Sequence, residues 1–519
     1  MKFKSIYALA LMGMFSCSKG TSLDGQANKK VNKPNIIVFY VDDLGYGDVG
    51  VNGLKGASTP VIDNLAQGGI NFTDVHSPHA TCTPSRYAML TGEYAFRKKA
   101  QILPGDAPLL IDTNKKTLPD MLKEAGYATG VVGKWHLGLG IGNVNWNEAV
   151  KPGPLEIGFD YSFLLPATGD RVPAVYLENH HVVNLDKNDP LLVNYKKKPG
   201  NTYPTGEENP ELRRQPADKQ HNKTIINGIS RIGYMSGGEK AIWKDEEFPD
   251  VLAGKANEFM TKHKDQPFFL YFAFHDIHVP RLPNNDWKGK SEMGVRGDVI
   301  MQMDHTVGMV MESLKKLGLE ENTLVIFTSD NGPVLNDGYD DKAVELLNDH
   351  KPAGIYSGGK YSALEGGTRV PMIAYWPKQI KGGKTSDAMF SHLDFYASFA
   401  DLAGIEIKKG EAIDSKDVLA ALVGTSDEGR KMMLEESYTL SLRNGDWKYI
   451  EPIAKNKRIP DFMDKNKGIK GGMSKKVQLF DLSNDPAETT NVANKHPEMV
   501  KMMQAHIDSL KSVSVSASI

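Results

Sequence analysis

A chain of 519 residues with 62 Lys and Arg against 64 Asp and Glu carries a net charge of −2, which leaves no basic excess for nucleic acid. With 40% hydrophobic and 24% charged residues it has the composition of a globular protein. No stretch after the N-terminus reaches the ~18 apolar residues that a membrane helix needs, and two cysteines build no disulfide framework.

The first residues read as targeting. Lys2 and Lys4 precede an apolar stretch, Ile6 to Phe15, too short to span a bilayer, and Ser16-Cys17 follows. Residues 1–17 are expected to be a signal peptide that exports the protein to the periplasm or outer membrane of a bacterium. Cys17 stands at the lipid-attachment position of bacterial lipoproteins, although Phe15 is large where a small residue is usual. Membrane contact is expected only through that anchor. Residues 18–33 are polar, with Gly20 and Gly25, and read as a flexible tether.

Asn35 to Val41 is a continuous apolar run, as a strand buried on both faces requires. Similar runs occupy Ala128 to Val132, Phe268 to Phe274, Leu324 to Thr328 and Val370 to Tyr375. Helical patterns lie between them, at Thr117 to Ala125 and Ile300 to Leu317. The alternation predicts an α/β fold: a large mixed, mostly parallel sheet sandwiched by helices. Within the catalytic region, 34–425, residues 152–247 are polar and poor in apolar periodicity, and are expected to form loops over the site mouth. After a helix at Asp394 to Gly404, residues 426–519 are expected to form a smaller C-terminal α+β subdomain. Ser441 to Ile450 and Val477 to Leu482 read as its antiparallel strands.

Polar clusters sit where the apolar runs stop, which in open α/β sheets is where ligands bind. They are Asp42-Asp43, Lys134-Trp135-His136, His275-Asp276-Ile277-His278 and Asp330-Asn331. Three carboxylates and an amide are hard oxygen donors, better suited to Ca²⁺ or Mg²⁺ than to Zn²⁺. Adjacent Asp42 and Asp43 reach one ion only if the strand ends there, because in a continuing strand they face opposite sides. The plainer reading of Asp-Asp and Asp-Asn-Gly is a pair of turns. In an extended segment Lys134 and His136 would share a face, with Trp135 packing the other way. Gly358-Gly359-Lys360 would present a cation to an anionic ligand.

Beyond the signal peptide one cysteine remains, in Cys82-Thr83-Pro84-Ser85-Arg86. A lone cysteine is commonly a small buried hydrophobe. Here Cys-x-Pro-x-Arg runs into Leu90-Thr91-Gly92, and Gly133-Lys134-Trp135-His136-Leu137-Gly138, Thr328 to Gly332 and Gly359 to Pro371 follow in order. Together these segments resemble the type I sulfatases, calcium-dependent members of the alkaline phosphatase superfamily. The likeness extends to arylsulfatase A and the N-acetylgalactosamine-6-sulfatases, and spans nearly the whole exported chain. It implies an alkaline phosphatase-like fold and hydrolysis of sulfuric esters. It implies that a formylglycine-generating maturation enzyme converts Cys82 to formylglycine, whose hydrate is the nucleophile. Asp42, Asp43, Asp330 and Asn331 would hold one Ca²⁺ together with residue 82, and Arg86 would brace the formylglycine. Lys134 and Lys360 would bind sulfate oxygens, His278 would protonate the leaving oxygen, and His136 would take the proton that lets the hydrate collapse.

Two other readings stay open. Phosphate or phosphonate ester hydrolases of the superfamily commonly place a histidine after the late aspartate and bind two transition metals, whereas Asn331 stands there. A non-catalytic glycan-binding lipoprotein would not need the intact set. The substrate is expected to be a sulfated glycan cut at its non-reducing end, at galactose or N-acetylgalactosamine sulfated at O6 or O4. That expectation rests on a looser resemblance of Gly169-Asp170-Arg171-Val172-Pro173 to bacterial N-acetylgalactosamine-6-sulfatases. Asp170, Arg171, His221 and His350 are expected to face the sugar.

Overall fold

The computed structural model describes residues 33–200, 203–456 and 469–513. The signal peptide, Cys17 and the tether through Asn32 lie outside the described residues.

The main sheet takes ten strands, among the described residues: β1 (Asn35–Val41), β2 (Ile70–Phe72), β3 (Ala128–Lys134), β4 (Tyr161–Leu165), β5 (Leu177–Glu178), β6 (His181–Val182), β7 (Phe268–Ala273), β8 (Thr323–Ser329), β9 (Met372–Tyr375) and β10 (Lys384–Ser386). Their order across the sheet is β10-β2-β9-β8-β1-β7-β3-β4-β5-β6. The central strands β8, β1, β7, β3 and β4 run parallel, with antiparallel strands toward both edges. Every residue of β1, β3, β7 and β8 is buried. Their apolar runs are therefore covered on both faces, and each large side chain so buried contributes about 1.5–3 kcal/mol of hydrophobic stabilisation.

The cover comes from two packed groups of helices. One holds α1 (Pro60–Gly68), α4 (Phe248–Lys262) and α5 (Gly294–Lys316). The other holds α2 (Cys82–Thr91), α3 (Leu118–Glu124) and α6 (Phe395–Ala403). Helix α3 starts on a capping box, in which Thr117 and Asp120 each accept from the other's backbone N–H. Helix α5 begins six residues before the expected Ile300. Residues 152–247 are not loops alone: Tyr161–Leu165 joins the main sheet beside β3.

The C-terminal sheet is antiparallel, in the order β11 (Met432–Glu436), β12 (Leu440–Asn444), β13 (Trp447–Ile450), β14 (Gln478–Asp481). The expected single run from Ser441 to Ile450 is two strands, turned at Gly445, whose φ of 53° lies in the left-handed region. Helix α7 (Pro497–Ser512) covers this sheet with Met503 and Ile507.

Candidate active site

Strands β8, β1, β7 and β3 are neighbours, so their carboxyl ends meet. Backbone bonds continue past the ends. The Ile277 N–H donates to the Asp42 carbonyl at 2.9 Å, and the Asp330 N–H to the Val41 carbonyl at 2.9 Å. Strand β1 stops at Val41, and Asp43 takes a φ of 64°. That left-handed turn keeps both adjacent carboxylates in one place. Oxygens of Asp42 and Asp43 and a ring nitrogen of His278 lie within 4.8 Å of one another. Strand β3 likewise ends at Lys134, and His136 has a φ of 53°. Lys134 and His136 thus do not share a face by extension, as their spacing predicts; a turn sends them to different partners.

Those partners are buried. The Lys134 ammonium bonds Asp42. Lys360 Nζ lies 2.9 Å from the Asp43 carboxylate and 2.9 Å from Asp337 Oδ2. Arg86 donates from Nε at 2.9 Å and Nη2 at 2.7 Å to Asp330 Oδ2, so it braces this carboxylate directly. Asn331 Nδ2 donates to Asp43 Oδ1 at 2.8 Å. Among these groups, the buried oxygens Asp42 Oδ1 and Asn331 Oδ1 have no hydrogen-bond partner. Unpaired buried acceptors are costly unless something meets them. Burial, with Asp330 beside it, raises the Asp42 carboxyl to about 6 despite Lys134. Three crowded carboxylates and two orphan oxygens form a donor set that fits one hard cation.

Cys82 opens α2, a helix buried along its whole length. Its Sγ lies 3.3 Å from His136 Nδ1, and His136 Nε2 lies 2.9 Å from the Leu103 carbonyl. A carbonyl can only accept, so Nε2 carries the ring proton and Nδ1 turns a lone pair to residue 82. Burial pushes the thiol above its ordinary range, while Lys134 and Lys360 pull it down. Burial, then Arg171 and Lys134, hold His136 well below the usual imidazole range. His278 donates from Nδ1 to the Val279 carbonyl at 2.6 Å, and its Nε2 stands 3.8 Å from Asp43 Oδ2. Burial and the two lysines keep it neutral as well.

Above this floor lies an open cavity of about 840 Å³. Cys82, His136, His278 and Lys360 line it, and so do Asp170, Arg171 and His221. Arg171 Nη1 donates to Asp170 Oδ1 at 2.8 Å. His221 places Nε2 3.2 Å from Asp170 Oδ2 and Nδ1 2.7 Å from Asp218 Oδ1. Burial opposes the Asp170 charge, but Arg171 and then His221 hold its carboxyl well below the usual range. Desolvation lowers His221, and its two carboxylate partners outweigh that and raise it. The wall is therefore a charged, pre-ordered set of donors and acceptors.

His350 is a correction. Its Nε2 meets Asp48 Oδ1 at 2.8 Å, beside the Arg296 fork on the same carboxylate, and it does not line the catalytic cavity. It is a buried partner of a structural ion pair. Conversely, Asp337, Tyr361, Tyr438 and Asp218 line the cavity without having been expected there. Tyr361 adjoins Lys360, which was a usable signal; nothing local marks Tyr438.

Comparison with known proteins agrees with this geometry. The family model described as Sulfatase matches residues 34–405. The model described as N-sulphoglucosamine sulphohydrolase, C-terminal, matches residues 359–514. An N-acetylgalactosamine-6-O-sulfatase of Bacteroides thetaiotaomicron is 48% identical over 500 residues, covering 96% of each chain. Human arylsulfatase A is 29% identical over 91% of this chain and 86% of its own. A solved structure described under metabolism of multiple glycosaminoglycans by Bacteroides thetaiotaomicron superposes with a TM-score of 0.90 at 49% identity, over 93% of this chain and 100% of that one. A family model matched over residues 34–405 and a 48% identical sulfatase aligned along nearly the whole length show that this chain belongs to the sulfatase family and hydrolyses sulfate esters.

Proposed function

We propose that the protein is an exported, calcium-dependent sulfatase that removes the O6 sulfate from a terminal galactose or N-acetylgalactosamine of a glycan. The observation that carries the sugar is the joined set Asp170, Arg171 and His221 in the wall of the cavity that holds Cys82. The 48% identical N-acetylgalactosamine-6-O-sulfatase points to the same sugar. Export, and anchoring at Cys17, place the enzyme where polymeric glycans are met.

With Cys82 converted, a formylglycine hydrate would offer one hydroxyl for attack on sulfur and a second whose loss of a proton would expel sulfate, splitting one hard step into two. Asp42, Asp43, Asp330, Asn331 and residue 82 would hold one Ca²⁺, which would supply charge to stabilise sulfuryl oxygens. The chain's own groups do the rest. His136, with its Nδ1 lone pair facing residue 82, accepts the proton whose loss regenerates the aldehyde. Lys134 and Lys360 meet sulfuryl oxygens as ammonium groups. An anionic ester in the cavity offsets the lysines and favours a proton on His278 Nε2, which then passes to the leaving sugar oxygen. Because all of α2 is buried, the maturation enzyme must meet the Cys82 segment before the chain folds.

The test is a panel of sulfated mono- and oligosaccharides presented to protein coexpressed with a maturing enzyme. Preferred release from 6-sulfated galacto-configured ends is expected, over gluco epimers by a hundredfold or more, because a mismatched hydroxyl leaves buried polar groups unpaired, at roughly several kcal/mol. Asp170→Ala or His221→Ala should collapse that preference. Equal rates on both epimers would reject the sugar and leave the sulfatase untouched.

A further inference from the structure

Tyr438 lies between β11 and β12, far in sequence from every other residue of the cavity, yet it lines that cavity. It is half exposed, and it is the one aromatic among the described large hydrophobic side chains that are exposed. Its ring stacks on Tyr361, with centroids 6.4 Å apart and planes 24° apart. The stack is anchored to the catalytic residues from both sides. The Ala80 N–H donates to the Glu436 carbonyl at 2.8 Å, and the Ala80 carbonyl accepts from the Tyr361 N–H at 2.7 Å. One residue, two places before Cys82, thus holds the segments that carry both rings. Tyr361 is fixed further. Its hydroxyl lies 3.1 Å from Asp337 Oδ2, the oxygen that also takes Lys360, and Lys360 Nζ stands 5.5 Å from the Tyr361 ring centre.

A cavity that sets an aromatic pair beside a sulfate-binding lysine, with the polar side chains of Asp170, Arg171 and His221 in the same lining, matches a pyranose ring. A galacto-configured ring carries its axial O4 on one face and leaves the hydrogens of C3, C4 and C5 as an apolar patch on the other. We propose that Tyr438, supported by Tyr361, is the aromatic platform for that apolar patch, so that the C-terminal sheet is a specificity element of the active site. This deepens the glycan reading above and rests on it. The tyrosine ring is rigid and has an apolar face with a polar tip, which lets it bind an amphipathic ring with little ordering of its own. The platform acts on binding of the sugar and touches none of the reacting atoms.

The test compares wild type, Tyr438→Phe and Tyr438→Ala, each matured, on N-acetylgalactosamine 6-sulfate and galactose 6-sulfate. Loss of the ring should raise KM about tenfold, the size of one aromatic contact, with a much smaller change in kcat. Tyr438→Phe should keep the wild-type KM, because the face and not the hydroxyl makes the contact. Thermal melts of the two variants should stay within a few degrees of wild type, since the side chain is half exposed and gives up little beyond the stack on Tyr361. An unchanged KM in Tyr438→Ala, a loss confined to kcat, or an equal defect in Tyr438→Phe overturns the platform alone. A wild type that cleaves aryl sulfates and no sugar sulfate overturns the glycan reading and the platform with it.

Discussion

At the scale of single residues, the site shows which substitutions report on chemistry and which on stability. Cys82 touches the cavity and His136 without carrying any ion pair, so Cys82→Ala tests the covalent route cleanly. Sulfate release should fall by at least ~4 kcal/mol in transition-state terms with the melting temperature kept. Mass spectrometry of the wild-type peptide should show an aldehyde or its hydrate; full activity with an unmodified thiol would end the formylglycine proposal. Asp330 is a poor probe of metal, because its carboxylate meets the buried Arg86 fork. Removing it leaves a buried guanidinium unpaired, at a cost of about 3–5 kcal/mol. Asn331→Ala is the better probe, since Asn331 makes no ion pair and its Oδ1 has no hydrogen-bond partner. Calcium content should drop below one per chain while stability falls by only ~1 kcal/mol. Two zinc ions per wild-type chain would instead support the phosphoesterase alternative.

Among the elements, strand β11 joins chemistry to fold. Its last residue, Glu436, bonds through its backbone to Pro78 and Ala80, just ahead of Cys82. The Glu436 carboxyl is buried, its Oε1 is unpartnered, and desolvation raises it to about 8. The folded state therefore prefers the protonated acid. This contribution to stability is complete below pH 4.5, the ordinary value for glutamate, and is lost as pH rises through about 8. Glu436→Gln keeps the shape and does not titrate. Urea melts should show the two proteins alike near pH 4 and the variant more stable at pH 8, by roughly 1–3 kcal/mol. A gap that fails to grow with pH would count against a buried protonated Glu436.

On the scale of the whole molecule, the C-terminal sheet and the catalytic region share a hydrophobic cluster beside the main core and a buried ionic network. Ala88 and Tyr94, from in and beside α2, pack with Leu434, Leu442, Tyr449, Met503 and Ile507. Glu365, near the Lys360 loop, takes Lys448 Nζ at 2.9 Å and Arg443 Nη1 at 2.7 Å from the C-terminal sheet. All three side chains are at most 2% exposed. An intact buried pair is no proof of extra stability, but removing one partner strands the other. Lys448→Ala leaves Glu365 with Arg443 but takes the ammonium 2.5 Å from the buried Glu435, so it should cost up to about 3–5 kcal/mol and lower activity only as far as it unfolds the protein. Calorimetry should show a single transition. Two separated transitions would mean that the C-terminal sheet folds independently of the site.

Much of this was open to reading along the chain. Long apolar runs predict buried parallel strands because period and length are local properties, and Asn35–Val41 appears as a strand with those bounds. Clusters such as Asp42-Asp43 and Lys134-Trp135-His136 were legible because strand ends concentrate polar residues within a few positions. His350 departs from its expected place because proximity to Lys360 along the chain says nothing of the direction its ring takes, and the Asp48–Arg296 pair that captures it lies elsewhere in sequence. Tyr438 was invisible for the converse reason. Its place in the cavity that holds Cys82 depends on backbone bonds through Ala80, and contacts of such sequence separation leave no local pattern. Residue types determined what chemistry this protein could hold; only the packing of distant segments around one strand-end cleft decided which side chains share it.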